Sequence, residues 1–121
     1  MEVGAYLKER RKYPRISIEL PLDYLVKYDP RVRGGIVIDA SETGLLIYST
    51  QNIPIGTKLR IAVLFPMEYE LTNFEVFAEI IWKKDGKERE EGYLYGINFI
   101  HILQEDCKKL RQLLIEKFLN D

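Results

Sequence analysis

The chain has 121 residues, of which 46% are hydrophobic and 31% charged, and these proportions are typical of a single globular domain with its own core. Its formal net charge of −1 argues against a general nucleic-acid binder, which usually carries an excess of basic residues over a whole face. With Cys107 as the single cysteine and His101 as the single histidine, an internal disulfide is excluded and a Cys/His metal site nearly so. We therefore expect no metal and no resident cofactor.

Hydropathy along the chain gives no sign of a membrane segment. No apolar run approaches the roughly 20 residues that are needed to cross a bilayer. The first residues also lack the basic and then apolar pattern of a secretory signal peptide. We therefore expect a cytoplasmic protein that does not insert into membranes.

The first 15 residues form a basic segment ahead of the first predicted strand. Residues 1–15 contain five basic side chains against two acidic ones. Pro14 lacks a backbone N–H and disfavours helical geometry at Tyr13, so this segment should be extended or turned rather than helical. We interpret residues 1–15 as a flexible basic N-terminal arm and residues 16–121 as the folded domain.

Six segments have the alternating patterns of β-strands. Every second residue from Ile16 to Tyr28 is apolar, and this predicts a long strand with one buried face. Pro21 favours an edge, a bend or a bulge at its position. Further strands are predicted at 36–38, 45–48, 59–65, 74–82 and 93–99, separated by turns at Asp29-Pro30, Pro54-Ile55-Gly56 and Asp85-Gly86. We expect Pro66 to end the fourth strand.

The spacing of apolar residues changes from two to helical at about Gln104. Cys107, Leu110, Leu114 and Phe118 share one face of the predicted helix. Six strands in succession favour a closed antiparallel barrel, because closure removes exposed strand edges. The predicted fold is therefore all-β with a C-terminal helix, a six-stranded antiparallel β-barrel that the helix caps or flanks.

Two short clusters have compositions that a barrel scaffold alone does not require. The first is Arg10-Arg11-Lys12-Tyr13-Pro14-Arg15, and the second is Asp39-Ala40-Ser41-Glu42-Thr43-Gly44 at a corner between two strands. An arginine guanidinium matches the Hoogsteen edge of guanine and also binds phosphate oxygens. A carboxylate such as that of Asp39 can accept two hydrogen bonds from the ring and amino groups of guanine.

The remaining corner residues also fit a guanine nucleotide. Ser41 can donate a hydrogen bond to a phosphate or ribose oxygen, and Gly44 allows a close approach to backbone amides. Each cluster by itself is common: a basic run is usually a solvated flank, and a corner of this composition is usually a plain turn. His101 is interpreted as a strand-end surface or packing residue, and Cys107 as a small apolar residue of the helix.

Taken in order, the two clusters resemble the motifs of the PilZ domain family, whose members are six-stranded barrels that bind cyclic di-GMP. The family pattern is Arg-x-x-x-Arg followed by Asp/Asn-x-Ser-x-x-Gly, and this chain matches it at Arg11, Arg15, Asp39, Ser41 and Gly44. The resemblance covers about residues 9–119. It extends to the segment that ends in Trp82, to residues 95–99 and to the closing helix.

The resemblance implies a cyclic di-GMP receptor that regulates a downstream protein partner. In similar domains a basic residue at the position of Arg10 accompanies binding of a stacked ligand dimer, which leads to the hypothesis of two ligands per chain. Thr43 departs from the pattern, because many relatives have a second glycine there. We expect the arm to be mobile alone and to fold across the barrel when ligand binds, which would make it a switch.

Three other functions remain as alternatives. A PilZ-like adaptor that binds only proteins would use the same barrel without a nucleotide. A small barrel that binds single-stranded RNA would want an aromatic and basic face, which the mildly acidic body does not favour. An enzyme is the weakest alternative, since no nucleophile with a base, no carboxylate pair and no metal cluster is evident.

Overall fold

The strands and the helix follow the alternation of the sequence closely. The computed structural model describes residues 15–85 and 91–120, and residues 1–14, which include Arg10 and Arg11, lie outside the described residues, as do 86–90 and 121. The elements in chain order are β1 (Ile16–Val26), β2 (Arg33–Ala40), β3 (Gly44–Ser49), β4 (Lys58–Met67), β5 (Glu70–Asp85), β6 (Tyr93–His101) and α1 (Gln104–Asn120).

The six strands form a closed barrel in which every neighbouring pair is antiparallel. Their order around the barrel is β1-β2-β3-β6-β5-β4, and β4 returns to β1. Inward-facing side chains from all six strands fill one core, in which Tyr24, Tyr95, Phe65 and Phe74 are the largest fully buried residues. The predicted fold, a six-stranded antiparallel barrel with a C-terminal helix, is confirmed.

Both prolines of the long strands lie where a missing N–H costs little. In β1 the register shifts between Ser17 and Leu20, and Pro21 follows directly, one residue before pairing with β4 begins at Leu22. Of the edge, bend or bulge expected at Pro21, the structure shows an irregularity just before the proline, while Pro21 itself pairs in register with Ile36. The expectation that Pro66 ends the fourth strand is wrong: Pro66 pairs with Leu71 and β4 continues to Met67. Because β1 pairs with β4 only up to Val63, Pro66 has a single neighbouring strand and can lack a donor on its other side.

The first strand also ends two residues earlier than its alternation predicts. After Val26 the chain turns, and the N–H of Asp29 donates to the carbonyl oxygen of Val26 at 2.9 Å. Tyr28 adopts a left-handed φ of 71° in this turn and is 93% exposed. The apolar residue at position 28 therefore continues the sequence pattern without being part of the core.

Helix α1 covers the part of β5 that β6 leaves open. Pairing between β5 and β6 begins only at Phe77. On the preceding segment, the N–H of Glu75 donates to Asp106 Oδ1 at 3.1 Å, and Lys109 Nζ donates to the carbonyl oxygen of Asn73 at 3.1 Å. Leu110, Leu113 and Leu114 complete the core from the helix side. Within residues 15–85 and 91–120, α1 included, no helix is long and apolar enough to cross a membrane.

Candidate functional site

The barrel brings the end of the basic arm next to the corner cluster. Ile16 pairs with Ala40 and Ser17 with Asp39, so the start of β1 lies beside the end of β2. Arg15, the last residue before β1, places its Nη1 4.0 Å from Oδ1 of Asp39. The guanidinium side chain is 40% exposed, whereas the Asp39 oxygen is buried. Antiparallel pairing thus unites two clusters that are separated by 23 residues of sequence.

Two of the arginines expected in the site cannot be positioned in the same way. Arg10 and Arg11 lie in residues 1–14, outside the described part of the chain. Their roles in binding stay predictions. Arg15, by contrast, is fixed to the first residue of the barrel, and any ligand that contacts it must approach the outer surface beside Asp39.

Ser41 organises the corner from within. It is only 7% exposed, and its Oγ accepts hydrogen bonds from the N–H groups of Thr43 and Gly44, both at 3.2 Å. Its own N–H donates to the carbonyl oxygen of Gly44 at 2.9 Å, which closes the turn. A side-chain oxygen that accepts nearby backbone donors is a common way to hold a tight turn. In this geometry Ser41 shapes the corner, and its expected contact with a ligand oxygen stays a prediction.

Gly44 is required by a neighbouring strand. Gly44 pairs with Asn98 of β6, and a Cβ at this position would collide with the carbonyl oxygen of Ile97. Backbone carbonyls of a paired strand have little room to move aside. From the sequence, this glycine was expected to allow close approach by a ligand, whereas the contact that excludes a side chain comes from the barrel itself.

An apolar extension of the site runs across the outside of the barrel. Directly paired residues lie on the same face of a sheet, and one such row, here called the outer row, crosses five strands. It consists of Ser17 on β1, Asp39 on β2, Leu46 on β3, Gly96 on β6 and Trp82 on β5. The row begins at the polar cluster and ends on an aromatic ring. Neighbouring strands are spaced by about 4.8 Å, so Asp39 and Trp82 are separated by about 14 Å along it.

Gly96 creates the space in which Trp82 lies. The register between β5 and β6 shifts between Ile80 and Trp82, and a Cβ on Gly96 would overlap the indole of Trp82. The ring therefore rests against the backbone of β6 and is partly exposed. From the sequence, the missing side chain of Gly96 predicts a bend or a close neighbour. That this neighbour is Trp82 could not be predicted, because the register shift that aligns the two residues has no sequence signature.

Tyr48 of β3, two residues after Leu46, is a second aromatic ring that lies against a glycine. A Cβ on Gly92 would overlap the ring of Tyr48, which pairs with Leu94. Two glycines in and before β6 thus accommodate two rings on the outer surface. A glycine in a strand next to an aromatic strand residue was the available sequence signal for this platform.

The corner is also joined to the C-terminal helix. Nε of Arg111 lies 3.2 Å from Oε1 of Glu42, and both side chains are partly exposed. Glu42 directly follows Ser41, so this pair joins the corner to α1. Exposed ion pairs contribute little stability, and such a link is easily rearranged.

The remaining reactive residues lie apart from the outer row. His101 ends β6 and is exposed, with its ring centroid 6.3 Å from that of Phe77. Cys107 is half-buried on α1. In the described ranges, no group of three or more histidine, cysteine, aspartate or glutamate residues is arranged to hold a metal ion. The groups that the outer row and its polar end bring together are a guanidinium, a carboxylate and an aromatic ring.

Comparisons with known proteins agree with this architecture. The model of the PilZ domain family matches residues 9–116. The inhibitor of motility MotI/DgrA from Bacillus subtilis superposes with a TM-score of 0.78 at 21% identity, over 93% of this chain and 53% of its own. The PilZ domain of YcgR from Escherichia coli, solved with c-di-GMP, gives a TM-score of 0.67 at 17% identity, over 93% of this chain and 94% of its own. The chain thus spans about half the length of MotI/DgrA, and no curated protein matches it in sequence.

Proposed function

Because this chain belongs to the PilZ domain family, we propose that it is a cyclic di-GMP receptor that regulates a downstream protein partner. The observation that carries the proposal is the juxtaposition of Arg15 with Asp39 at the polar end of the outer row. The PilZ domain of YcgR, which this chain resembles in fold, was solved with the same ligand. In this proposal the chain is a cytoplasmic receptor rather than an enzyme.

The proposed ligand fits the sequence of groups along the outer row. Asp39 accepts hydrogen bonds from a guanine edge, and Arg15 binds a phosphate or the opposite edge of a guanine through its forked donors. Trp82 offers an aromatic face about 14 Å further along, on which a second base can stack. A dinucleotide carries two bases and two phosphates, which gives each of these groups something to bind.

The arginines of the arm complete the proposed site. Arg10 and Arg11 contribute guanidinium groups from residues 1–15, and this segment folds over the outer row when ligand binds. Fixing one residue of backbone costs about 1–2 kcal/mol. A hydrogen bond to a charged group yields about 1.5–3 kcal/mol, so several arginine contacts are needed to order the arm.

Ser41 and Gly44 support the same site by shaping the corner. Their local geometry holds Asp39, two residues earlier, at the end of β2, and directs the backbone of Thr43 into pairing with Phe99. The Glu42–Arg111 pair then offers a route from the corner to α1. We propose that ligand binding changes both the arm and this helix contact, and that the partner protein reads the result.

Calorimetric titration of the full chain tests the proposal directly. Cyclic di-GMP should bind selectively, whereas GTP and cyclic GMP should not compete at similar concentrations. The hypothesis of two ligands per chain, based on Arg10, predicts a stoichiometry of two, and a stoichiometry of one would remove that part alone. Absence of selective binding would overturn the receptor proposal and favour a PilZ-like adaptor that binds proteins without a nucleotide.

The expected closure of the arm has its own measurement. Amide hydrogen exchange of residues 6–15 should slow when cyclic di-GMP is added, because the arm becomes ordered on the barrel. Residues 58–65 of β4, which the outer row does not include, serve as an internal control. Equal protection of the arm with and without ligand would contradict the switch while leaving binding itself intact.

A further inference from the structure

A groove on the side of β1, β4 and β5 has no role in the proposed nucleotide site. It has a volume of about 660 Å³, and Tyr28, Phe77 and Ile100 give it an apolar lining. These three side chains are 93%, 47% and 54% exposed. The groove lies at the base of the β4–β5 hairpin, where Arg60 pairs with Phe77. An exposed apolar surface of this kind marks a contact site for another molecule.

The rim of the groove is basic. Lys27, Lys58 and Arg60 line it, against the single carboxylate of Asp29. Lys58 lies 2.9 Å from Glu79, and Arg60 lies 3.1 Å from Glu75, in exposed pairs that exchange partners at little cost. Lys27 lies over the ring of Tyr28, with Nζ 5.1 Å from the ring centroid. The groove thus favours an occupant that combines apolar side chains with carboxylates.

The other end of the same hairpin has the complementary composition. Met67 pairs with Glu70, and the two residues between them form the turn. This tip, residues 68–71, presents Tyr69 and Leu71, which are 103% and 71% exposed, between and beside two glutamates. Glu68 adopts a left-handed φ of 57° in this turn. An acidic, aromatic projection of this kind is what the groove would accommodate.

We propose that the hairpin tip of one copy of this chain docks in the groove of a second copy. Tyr69 and Leu71 would enter beside Tyr28 and Phe77, while the tip glutamates face the basic rim. Charge complementarity specifies this occupant: the tip carries two carboxylates, whereas the rim with its ion-pair partners carries five cations (Lys27, Arg31, Arg33, Lys58 and Arg60) against three carboxylates (Asp29, Glu75 and Glu79).

The groove and the tip lie at opposite ends of the β4–β5 hairpin, and this arrangement suits a dimer with two-fold symmetry. From the Arg60–Phe77 pair to the Met67–Glu70 pair is seven residues, or about 24 Å at the rise of an antiparallel strand. Two copies whose hairpins run in opposite directions about a two-fold axis make both tip-to-groove contacts at once. Such an isologous contact closes at the dimer and does not propagate into a filament. None of the residues that line the groove belongs to the outer row.

Sedimentation velocity of the full chain over a range of concentrations tests the proposal. We expect a monomer–dimer equilibrium that weakens as salt is raised, because exposed charges contribute to it. Tyr69→Ala should weaken dimerisation about tenfold or more, as loss of a central aromatic contact does. Ile55→Ala, at another exposed apolar residue of a turn, is the matched control and should leave the equilibrium unchanged.

Exchanging charges distinguishes this docking mode from any other self-association. Glu70→Lys and Lys27→Glu should each favour the monomer, since like charges then meet at both contacts of a homodimer. An equimolar mixture of the two variants should dimerise again, because every contact of the heterodimer joins opposite charges. A wild-type chain that is monomeric at all concentrations, or a dimer that none of these changes weakens, would overturn the proposal. Neither result bears on cyclic di-GMP binding, which calorimetry measures separately.

Discussion

Arg15 and Asp39 meet across the first two strands, with Nη1 of the arginine 4.0 Å from Oδ1 of the aspartate. At this distance the two groups attract each other electrostatically but do not form a hydrogen bond. The N–H donors of the guanidinium therefore do not donate to this carboxylate oxygen. The two residues come from different motifs, and β1–β2 pairing alone brings them together. A ligand bound here can therefore contact both motifs, which makes each open to a separate test.

Arg15→Ala should weaken cyclic di-GMP binding without unfolding the barrel. The side chain is 40% exposed and precedes the core residue Ile16, so its removal leaves the packing intact. Loss of charge-assisted hydrogen bonds worth about 1.5–3 kcal/mol predicts a loss of affinity of about ten- to a hundredfold. Calorimetry measures the affinity, and urea unfolding measures stability. Arg60→Ala, at an exposed arginine of β4, should bind as the wild type does; an equal loss there would contradict the assignment.

Ser41→Ala should reduce both the stability of the barrel and its affinity for the ligand. The buried Oγ accepts two backbone N–H groups of the corner, and leaving such donors unsatisfied costs about 1–3 kcal/mol. The free energy of unfolding in urea provides the measurement. Ser17→Ala, at an exposed position of β1, is the control and should change stability by less than about 0.5 kcal/mol. Equal stability of the two variants would show that the corner does not depend on the hydroxyl.

Gly96→Ala should weaken ligand binding through Trp82. The added Cβ overlaps the indole, which must leave its position against β6. Stacking of a base on an aromatic side chain is worth about 1–3 kcal/mol, so a loss of about tenfold in affinity is expected from Gly96→Ala or Trp82→Ala. The double variant should bind no more weakly than Trp82→Ala alone, since both changes act on one ring.

Gly34→Ala provides the control for this substitution. It also adds a Cβ to a barrel glycine, but the nearest atom, the carbonyl oxygen of Leu22, is 3.9 Å away. Its affinity in the same titration should match that of the wild type. If Gly96→Ala also matched the wild type, the assignment of Trp82 to a stacking platform would be wrong.

Asp29 should stabilise the chain near neutral pH and lose this effect in acid. Its carboxylate accepts hydrogen bonds from the side chain of Arg31 at 2.8 Å, from the N–H of Arg31 at 3.0 Å and from Arg33 at 2.7 Å. These interactions hold the pKa of Asp29 well below its usual value. Because the folded state disfavours protonation, the stabilisation is complete above the unfolded pKa of about 3.9 and declines as the pH falls below it.

Comparing wild type with Asp29→Asn in urea at pH 7 and at pH 2.5 measures this contribution. The wild type should be the more stable at pH 7, and the difference should shrink at pH 2.5. Asp23→Asn, at an exposed aspartate of β1 that forms no ion pair with any residue of 15–85 or 91–120, should give no such trend. A difference that is constant with pH would mean that the hydrogen bonds of Asp29 do not depend on its charge.

The sequence predicts the barrel well because alternation and core formation are local signals that the fold obeys. Burial from Ile16 to Val26 largely follows a period of two, and the helix begins at Gln104 as expected. Pro66 was predicted wrongly because the cost of a missing N–H depends on the number of neighbouring strands, which is a property of the closed barrel. The purpose of Gly44 was hidden for the same reason: its near neighbour, Ile97, is 53 residues away in the chain.

The candidate site likewise has one part that the sequence predicts and another that depends on strand pairing. The proximity of Arg15 and Asp39 could be anticipated from the order of the motifs. One motif precedes β1 and the other ends β2, and two antiparallel strands joined by a turn bring these two ends together. The outer row could not, because its residues come from five strands and the alignment of Trp82 with Gly96 depends on a register shift. Recognition surfaces on the outside of a barrel depend on register, and register is set by pairing rather than by any single segment.

Trp82 is also the only tryptophan of the chain, and it lies partly exposed on the outer surface where the second base is proposed to stack. Its indole emission therefore arises from the proposed binding surface alone, with no background from another tryptophan. Quenching or a spectral shift on addition of a nucleotide would then report occupancy without a label. Gly96, which leaves space for the indole on the outer surface, therefore also places an intrinsic fluorophore at the proposed binding surface.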